Sequence, residues 1–172
     1  MHRSTLSGAS MRRIEQHLAK YGAYHQDRRN VVTHFFGIPL IVLGVAILLS
    51  RPMLPVGPAG ISIAWLAVSV ISVYYLCLDV RLGLALSISL CCAAALGHLA
   101  AQQSTVVWLL LGAGSFVLGW GLQFLGHVWE GRKPAFVDDL MSLLIGPLFI
   151  AAECAFALGL MRTLRTRINH PD

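Results

Sequence analysis

Hydrophobic positions along this chain fall in long blocks separated by short polar breaks. Five blocks stand out, at 32–50, 59–78, 81–101, 105–124 and 140–160. A bilayer core about 30 Å thick takes about 20 helical residues, and each block is close to that length. The breaks "RPMLPVGP", "DV" and "QQS" are short enough for helical hairpins, and a longer connector, "LGHVWEGRKPAFVDD", covers 125–139. Ahead of the blocks the pattern changes. In "SMRRIEQHLAKYGAYHQDRR", 10–29, Met11, Ile14, Leu18 and Tyr21 recur every three or four residues. That period predicts an amphipathic helix with Ser10 as N-cap and a basic face suited to an anionic leaflet. The expected fold class is all-α, a polytopic membrane helical bundle in a single domain, 1–172. An interfacial helix over 10–29 leads into a bundle over 32–160 with four to five spans. A basic tail, 161–172, follows and is expected to be disordered at its end.

Composition points the same way. Of 172 residues, 56% are hydrophobic and 12% charged, against about 25% charged in soluble domains, and the mean hydropathy is +0.70. The net charge of +5 belongs to residues that flank apolar blocks without aromatic interleaving, so it speaks for membrane orientation and against nucleic acid. With the N-terminus cytoplasmic, Arg3, Arg12, Arg13, Lys20, Arg28, Arg29, Arg81, Arg132 and Lys133 share that side, and Arg51 faces the other. Five full spans would place Arg162, Arg165 and Arg167 on the wrong side. The last block also carries Gly146-Pro147 and an acid, Glu153, so it is expected to be re-entrant, kinked or partly buried against the other helices, which returns the tail to the cytoplasm. The expected location is an integral membrane one with N-terminus and site cytoplasmic: inner membrane if bacterial, endoplasmic reticulum if eukaryotic. No cleavable signal is visible. Cys77, Cys91, Cys92 and Cys154 lie inside apolar runs with no CxxC and read as small core hydrophobes.

The polar residues that orientation does not explain converge. The alternation of spans places His25 and His34, at the start of the first span, on the same membrane face as His127 and Glu130, just after the fourth. Nine residues turn a continuous helix through about 900°, so His25 and His34 meet only if the chain bends between them. Asn30 is placed to cap that bend. His127 and Glu130, three apart, share a helix face. Imidazoles with a carboxylate and no cysteine suit iron(II) oxygen chemistry or a catalytic zinc, not a structural zinc. Asp138 and Asp139 read as an N-cap pair for the last segment or as partners of a ligand histidine. His98 reads as structural, and His2, His17 and His170 as solvated.

The pattern Tyr24-His25, Asn30, His34, Pro39, then "QFLGHVWEGRKPA" and "LIGPLFIAAE", resembles the Mpo-type family of small membrane proteins over roughly residues 12–160. Fungal members are 2-hydroxy fatty acid dioxygenases. The resemblance implies iron(II)-dependent alpha-oxidation, in which a 2-hydroxy long-chain fatty acid and O2 give an acid one carbon shorter. It maps the metal ligands onto His25, His34 and His127, and the family's acid onto Glu130. Glu130, Arg132 and Tyr24 are then expected to act in catalysis, and Arg132, Lys133 and Asn30 to contact substrate. His98 matches no family motif. The expected partners are the fatty acid, O2 and membrane lipid, with oligomeric state open. The alternatives are a zinc-dependent membrane hydrolase with Glu130 as general base, and a non-enzymatic membrane protein whose histidines anchor helices or bind haem.

Overall fold

The computed structural model describes residues 13–56 and 60–169. Ser10, Met11, His2 and His170 lie outside the described residues. The elements are α1 (Arg13–Gly22), α2 (Arg28–Leu49), β1 (Met53–Leu54), β2 (Ile61–Ser62), α3 (Ile63–Leu78), α4 (Val80–Ala101), α5 (Thr105–Glu130), a 3-10 turn (Ala135–Val137), α6 (Ser142–Ala157) and α7 (Arg162–Asn169). The fold is therefore an all-α bundle with one two-stranded ribbon.

Helices α2, α4 and α5 are each long and apolar enough to cross a membrane, and α6 with α7 passes the same test as a pair bent by 120°. That gives three to four candidate spans. Helix α3 has 16 residues and so rises only about 24 Å. The sequence pattern starts it at 59, but Leu54 pairs with Ile61 and Met53 with Ser62 in an antiparallel ribbon, and the helix begins after that pairing. Helix α5 instead runs past its apolar block to Glu130, which turns the first six of the fifteen residues of the expected 125–139 connector into helix.

The tail is helical as far as Asn169, and the disorder expected at its end falls outside the described residues. Gly159 (φ +73°) and Met161 (φ +53°) reverse the chain after α6, and α7 returns against α1. Leu164 is buried there, and Arg167 reaches the buried Glu15 at 3.3 Å. The last apolar segment is thus bent at 158–161 and not at Gly146-Pro147, which lie inside the continuous helix α6, and the bend brings the arginines of α7 to the end of the bundle that carries α1.

The tightest packing joins α2 and α5, which run antiparallel. Glycines recur every seven residues along both, at 37 and 44 on α2 and at 112, 119 and 126 on α5. A Cβ on Gly44 would stand 2.7 Å from the Gly112 carbonyl oxygen, and one on Gly119 2.8 Å from that of Gly37. Backbones this close need a seam of small residues, as is usual between helices in lipid. At the far end of the pair Arg51 spreads its guanidinium across the α4–α5 turn, donating to Ala101 O, Thr105 Oγ1 and Gln103 O. Trp108 Nε1 donates to Ile47 O under the same arginine. The outer faces are apolar and exposed, including Leu110 and Val117 of α5. All four cysteines lie on such exposed faces, which corrects the expectation that they fill the core.

Candidate metal centre

The chain bends at 23–27, earlier than Asn30. Helix α1 stops at Gly22 because side chains from the bend take its last carbonyls. His25 Nδ1 donates to Tyr21 O at 2.8 Å, and Gln26 Nε2 to Gly22 O at 2.6 Å. Helix α2 then starts with Asp27 as N-cap, accepting from Arg29 N at 2.8 Å. Asn30 sits in the first turn of α2 and caps neither helix, which corrects the capping role expected for it. The reason is that a carboxylate three residues upstream already supplies the cap.

Glu130, at the last turn of α5, holds the bend in place. Its carboxylate accepts from Gln26 N (2.9 Å), Asp27 N (2.8 Å) and Asn30 Nδ2 (3.0 Å). A negative charge at the N-terminus of α2 also complements the helix dipole. Gly126, one turn earlier, lets α5 approach this closely, because a Cβ there would collide with Asn30 Oδ1 and Thr33 Oγ1.

These contacts gather three histidines. His25, His34 and His127 are all buried, at 5%, 1% and 6% exposure, and each offers a ligand nitrogen within 4.8 Å of the others. His34 Nδ1 donates to Asn30 O at 2.9 Å. A carbonyl oxygen only accepts, so the Nδ1 atoms of His25 and His34 carry the protons and both Nε2 atoms present lone pairs. Those two Nε2 atoms are 3.0 Å apart. Facing lone pairs repel unless a shared cation lies against both. Burial pushes the His25 pKa down to about 4, outweighing its bond to the Tyr21 carbonyl, so that ring is neutral at pH 7 and not the source of the cation. His127 Nδ1 is buried with no hydrogen-bond partner. Three neutral imidazoles, two of them held by backbone carbonyls, form a donor set that fits a divalent iron, zinc, copper or nickel ion. Among the described residues the carboxylate of Glu130 does not belong to this ligand group.

Two cavities border the cluster, one at His34 and His127 and one at His25. One of about 400 Å³ runs between α2, α5, the 134–136 segment and α6, with His34, His127, Tyr21 and Gln123 beside walls such as Ile38, Val42, Phe116, Trp120 and Leu143. It is apolar along its length, in the size range of small-molecule sites. The other, about 380 Å³, lies between α1, α6 and α7 and is lined by His25, Gln26 and Glu153.

The comparisons with known proteins bear on this arrangement. The family described as "2-hydroxy-palmitic acid dioxygenase Mpo1-like" matches residues 11–158. The chain is 31% identical over 166 residues to the 2-hydroxy-palmitic acid dioxygenase MPO1 of Saccharomyces cerevisiae (strain ATCC 204508 / S288c), covering 95% of this chain and 91% of that one. The chain belongs to the Mpo1-like family. No solved structure matches it.

In this Mpo1-like chain the other sequence-predicted residues are placed as follows. Arg132 donates to Ala23 O at 3.0 Å, tying the end of α5 to the bend. Lys133 pairs with Asp138 at 2.5 Å, and neither cation lines the apolar cavity. Tyr24 donates to Asp138 at 3.0 Å on the surface. The tyrosine that reaches the histidines is Tyr21, which the sequence pattern assigns only to the apolar face of α1. Its ring stacks on His25 at 4.2 Å and 9° and lines the cavity. Asp139 accepts from Lys20 and Met141 N, so the aspartates serve the surface and the start of α6 and stand outside the His25, His34 and His127 group. His98 is exposed in the last turn of α4, outside the ligand group. Gln123 opens the motif stretch "QFLGHVWEGRKPA", where the sequence pattern assigns it no role of its own, although its position four residues before His127 puts the two on one helix face.

Proposed function

We propose that this Mpo1-like protein is an iron(II)-dependent dioxygenase that shortens 2-hydroxy long-chain fatty acids by one carbon. The observation that carries the reading is the convergence of buried, neutral imidazole nitrogens at the head of an apolar cavity. The relative's printed substrate, 2-hydroxy-palmitic acid, has a polar head and an apolar tail, and the cavity offers surroundings for each. His25, His34 and His127 hold the ion, and the carbonyls of Tyr21 and Asn30 keep the first two rings aimed and in the ligand tautomer. Bound iron(II) supplies an oxygen-activating centre and a Lewis acid toward the substrate's oxygens. Ile38, Val42 and Phe116 surround the alkyl chain and keep water from it. Cleavage between C1 and C2 by one O2 balances as the shorter acid, carbon dioxide and water.

The rival hydrolase reading needs a free general base. Both oxygens of Glu130 already accept hydrogen bonds at the bend, which favours the dioxygenase. The arginines of α1, α2 and α7 gather with the site at one end of the bundle, which supports a cytoplasmic site in an integral membrane protein. The test is metal analysis of anaerobically purified protein, followed by addition of 2-hydroxyhexadecanoate and O2. The expected result is about one iron per chain and pentadecanoate formed only with O2. Stoichiometric zinc, or no O2 requirement, would overturn the reading.

A further inference from the structure

The apolar cavity raises a problem of recognition. A 2-hydroxy acid carries three oxygens on two adjacent carbons, and the two cations expected to meet them, Arg132 and Lys133, are bonded to Ala23 O and Asp138 instead. The polar residues that line the cavity are Tyr21, His34, Gln123, His127 and, at the start of α6, Ser142. Two of these, His34 and His127, belong to the metal cluster.

Resting on the function proposed above, we infer that Gln123 and Tyr21 recognise the substrate's head group, donating hydrogen bonds to its carboxylate and 2-hydroxyl oxygens beside the metal. Gln123 is 6% exposed and its amide nitrogen has no hydrogen-bond partner. A buried amide with an unmet donor destabilises a fold unless something else uses it. Its place is set by α2: a Cβ on Gly37 would stand 2.5 Å from the amide nitrogen and 2.9 Å from Gly119 O. The glycine seam thus gives Gln123 its room, one turn from His127. Tyr21 is 7% exposed. Its ring lines the cavity, its hydroxyl lies beside Gly146, where an added Cβ would stand 3.1 Å from it, and its stacking on His25 fixes that hydroxyl relative to the cluster. Neutral donors in a dry cavity also give selectivity, because a ligand that lacks the matching oxygen leaves them unpaired.

The experiment is equilibrium binding of 2-hydroxyhexadecanoate and of hexadecanoate to the iron-loaded, full-length protein without O2, so that nothing turns over. Gln123→Leu is expected to weaken binding of the hydroxy acid about ten- to a hundred-fold, the range for a lost hydrogen bond to a charged group. Tyr21→Phe, which keeps the stack on His25, is expected to weaken it about ten-fold. Iron content and melting temperature stay at the values of the unaltered protein in both, which a role limited to holding the fold or the metal would not allow. Loss confined to the hydroxy acid assigns the bond to the 2-hydroxyl; equal loss for both acids assigns it to the carboxylate. Unchanged affinity in both variants, or affinity that falls only in step with lost iron, overturns the inference while leaving the proposed function standing. No binding of either acid to the unaltered protein overturns both.

Discussion

At the far end of the α2–α5 pair, all three guanidinium nitrogens of Arg51 donate to α4–α5 turn acceptors, and the Trp108 indole donates to Ile47 O. At the near end the same two helices bury His34, His127 and Gln123, and there His127 Nδ1 and Gln123 Nε2 find no partner, while two lone pairs face each other at 3.0 Å. The far end is closed by its own hydrogen bonds. The near end is held by Glu130, Asp27 and the glycine seam, but His127 Nδ1 and Gln123 Nε2 stay unpaired among the described residues. Buried polar groups normally pair within the fold. Ser72, Tyr74 and Ser87 on α3 and α4 also carry unpaired buried hydroxyls, so what distinguishes the near end is that its unpaired nitrogens lie with three buried imidazoles beside an apolar cavity.

The strongest way to break this contrast is to remove a ligand. His34→Ala is expected to bring bound metal to background in elemental analysis while far-ultraviolet circular dichroism stays helical. Full metal retention would deny the near end its role. Next comes Gly126→Val, whose side chain would overlap Asn30 Oδ1 and Thr33 Oγ1. Overpacking of that kind costs about 1–3 kcal/mol, and it should lower both the melting temperature and the metal content, since the seam and the site share one contact.

Acid sharpens the contrast more gradually. The buried His25 has its pKa lowered to about 4 from the ordinary 6.5, so in metal-free protein the unfolded ring takes up a proton first as pH falls. The stability that rests on the neutral ring is fully present above about 6.5 and is lost between about 6.5 and 4. Melting temperature against pH should fall across that window, and His25→Asn should flatten the fall. The smallest effect belongs to the far end. Arg51→Ala should cost about 1 kcal/mol of stability, leave the pH slope as it was, and leave metal content unchanged. Metal loss in that variant would show that the two ends are not separable.

Much of this was legible in the sequence. Block lengths announced α2, α4 and α5, and the parity of spans placed His25, His34 and His127 at one end. The nine-residue spacing required a bend. The position of the bend was not legible, because it depends on Glu130 arriving from α5 to accept the backbone N–H groups of Gln26 and Asp27, a contact between residues about a hundred positions apart. Tyr24 looked chemical because it adjoins His25, yet a helix end rotates neighbours apart, and Tyr21, four residues before His25, is the one that stacks on it. The helical tail escaped notice because its charge is uniform, and its stability comes from Leu164 and from Arg167 meeting Glu15. One signal was present and unread: glycines seven apart at 112, 119 and 126, and at 37 and 44, trace the seam that sets the site.

The clasp between Glu130 and the bend also imposes an order of events during synthesis. His25 and His34 leave the ribosome roughly ninety residues before His127, which at 5–20 residues per second is a delay on the order of ten seconds. Through that interval the first two histidines have neither the third nitrogen nor the carboxylate that fixes the bend between them. A metal ion met early would find only a loose pair of rings, and the complete set of three imidazoles appears when the end of α5 docks, so the binding proposed above would come at the last stage of the chain's own assembly.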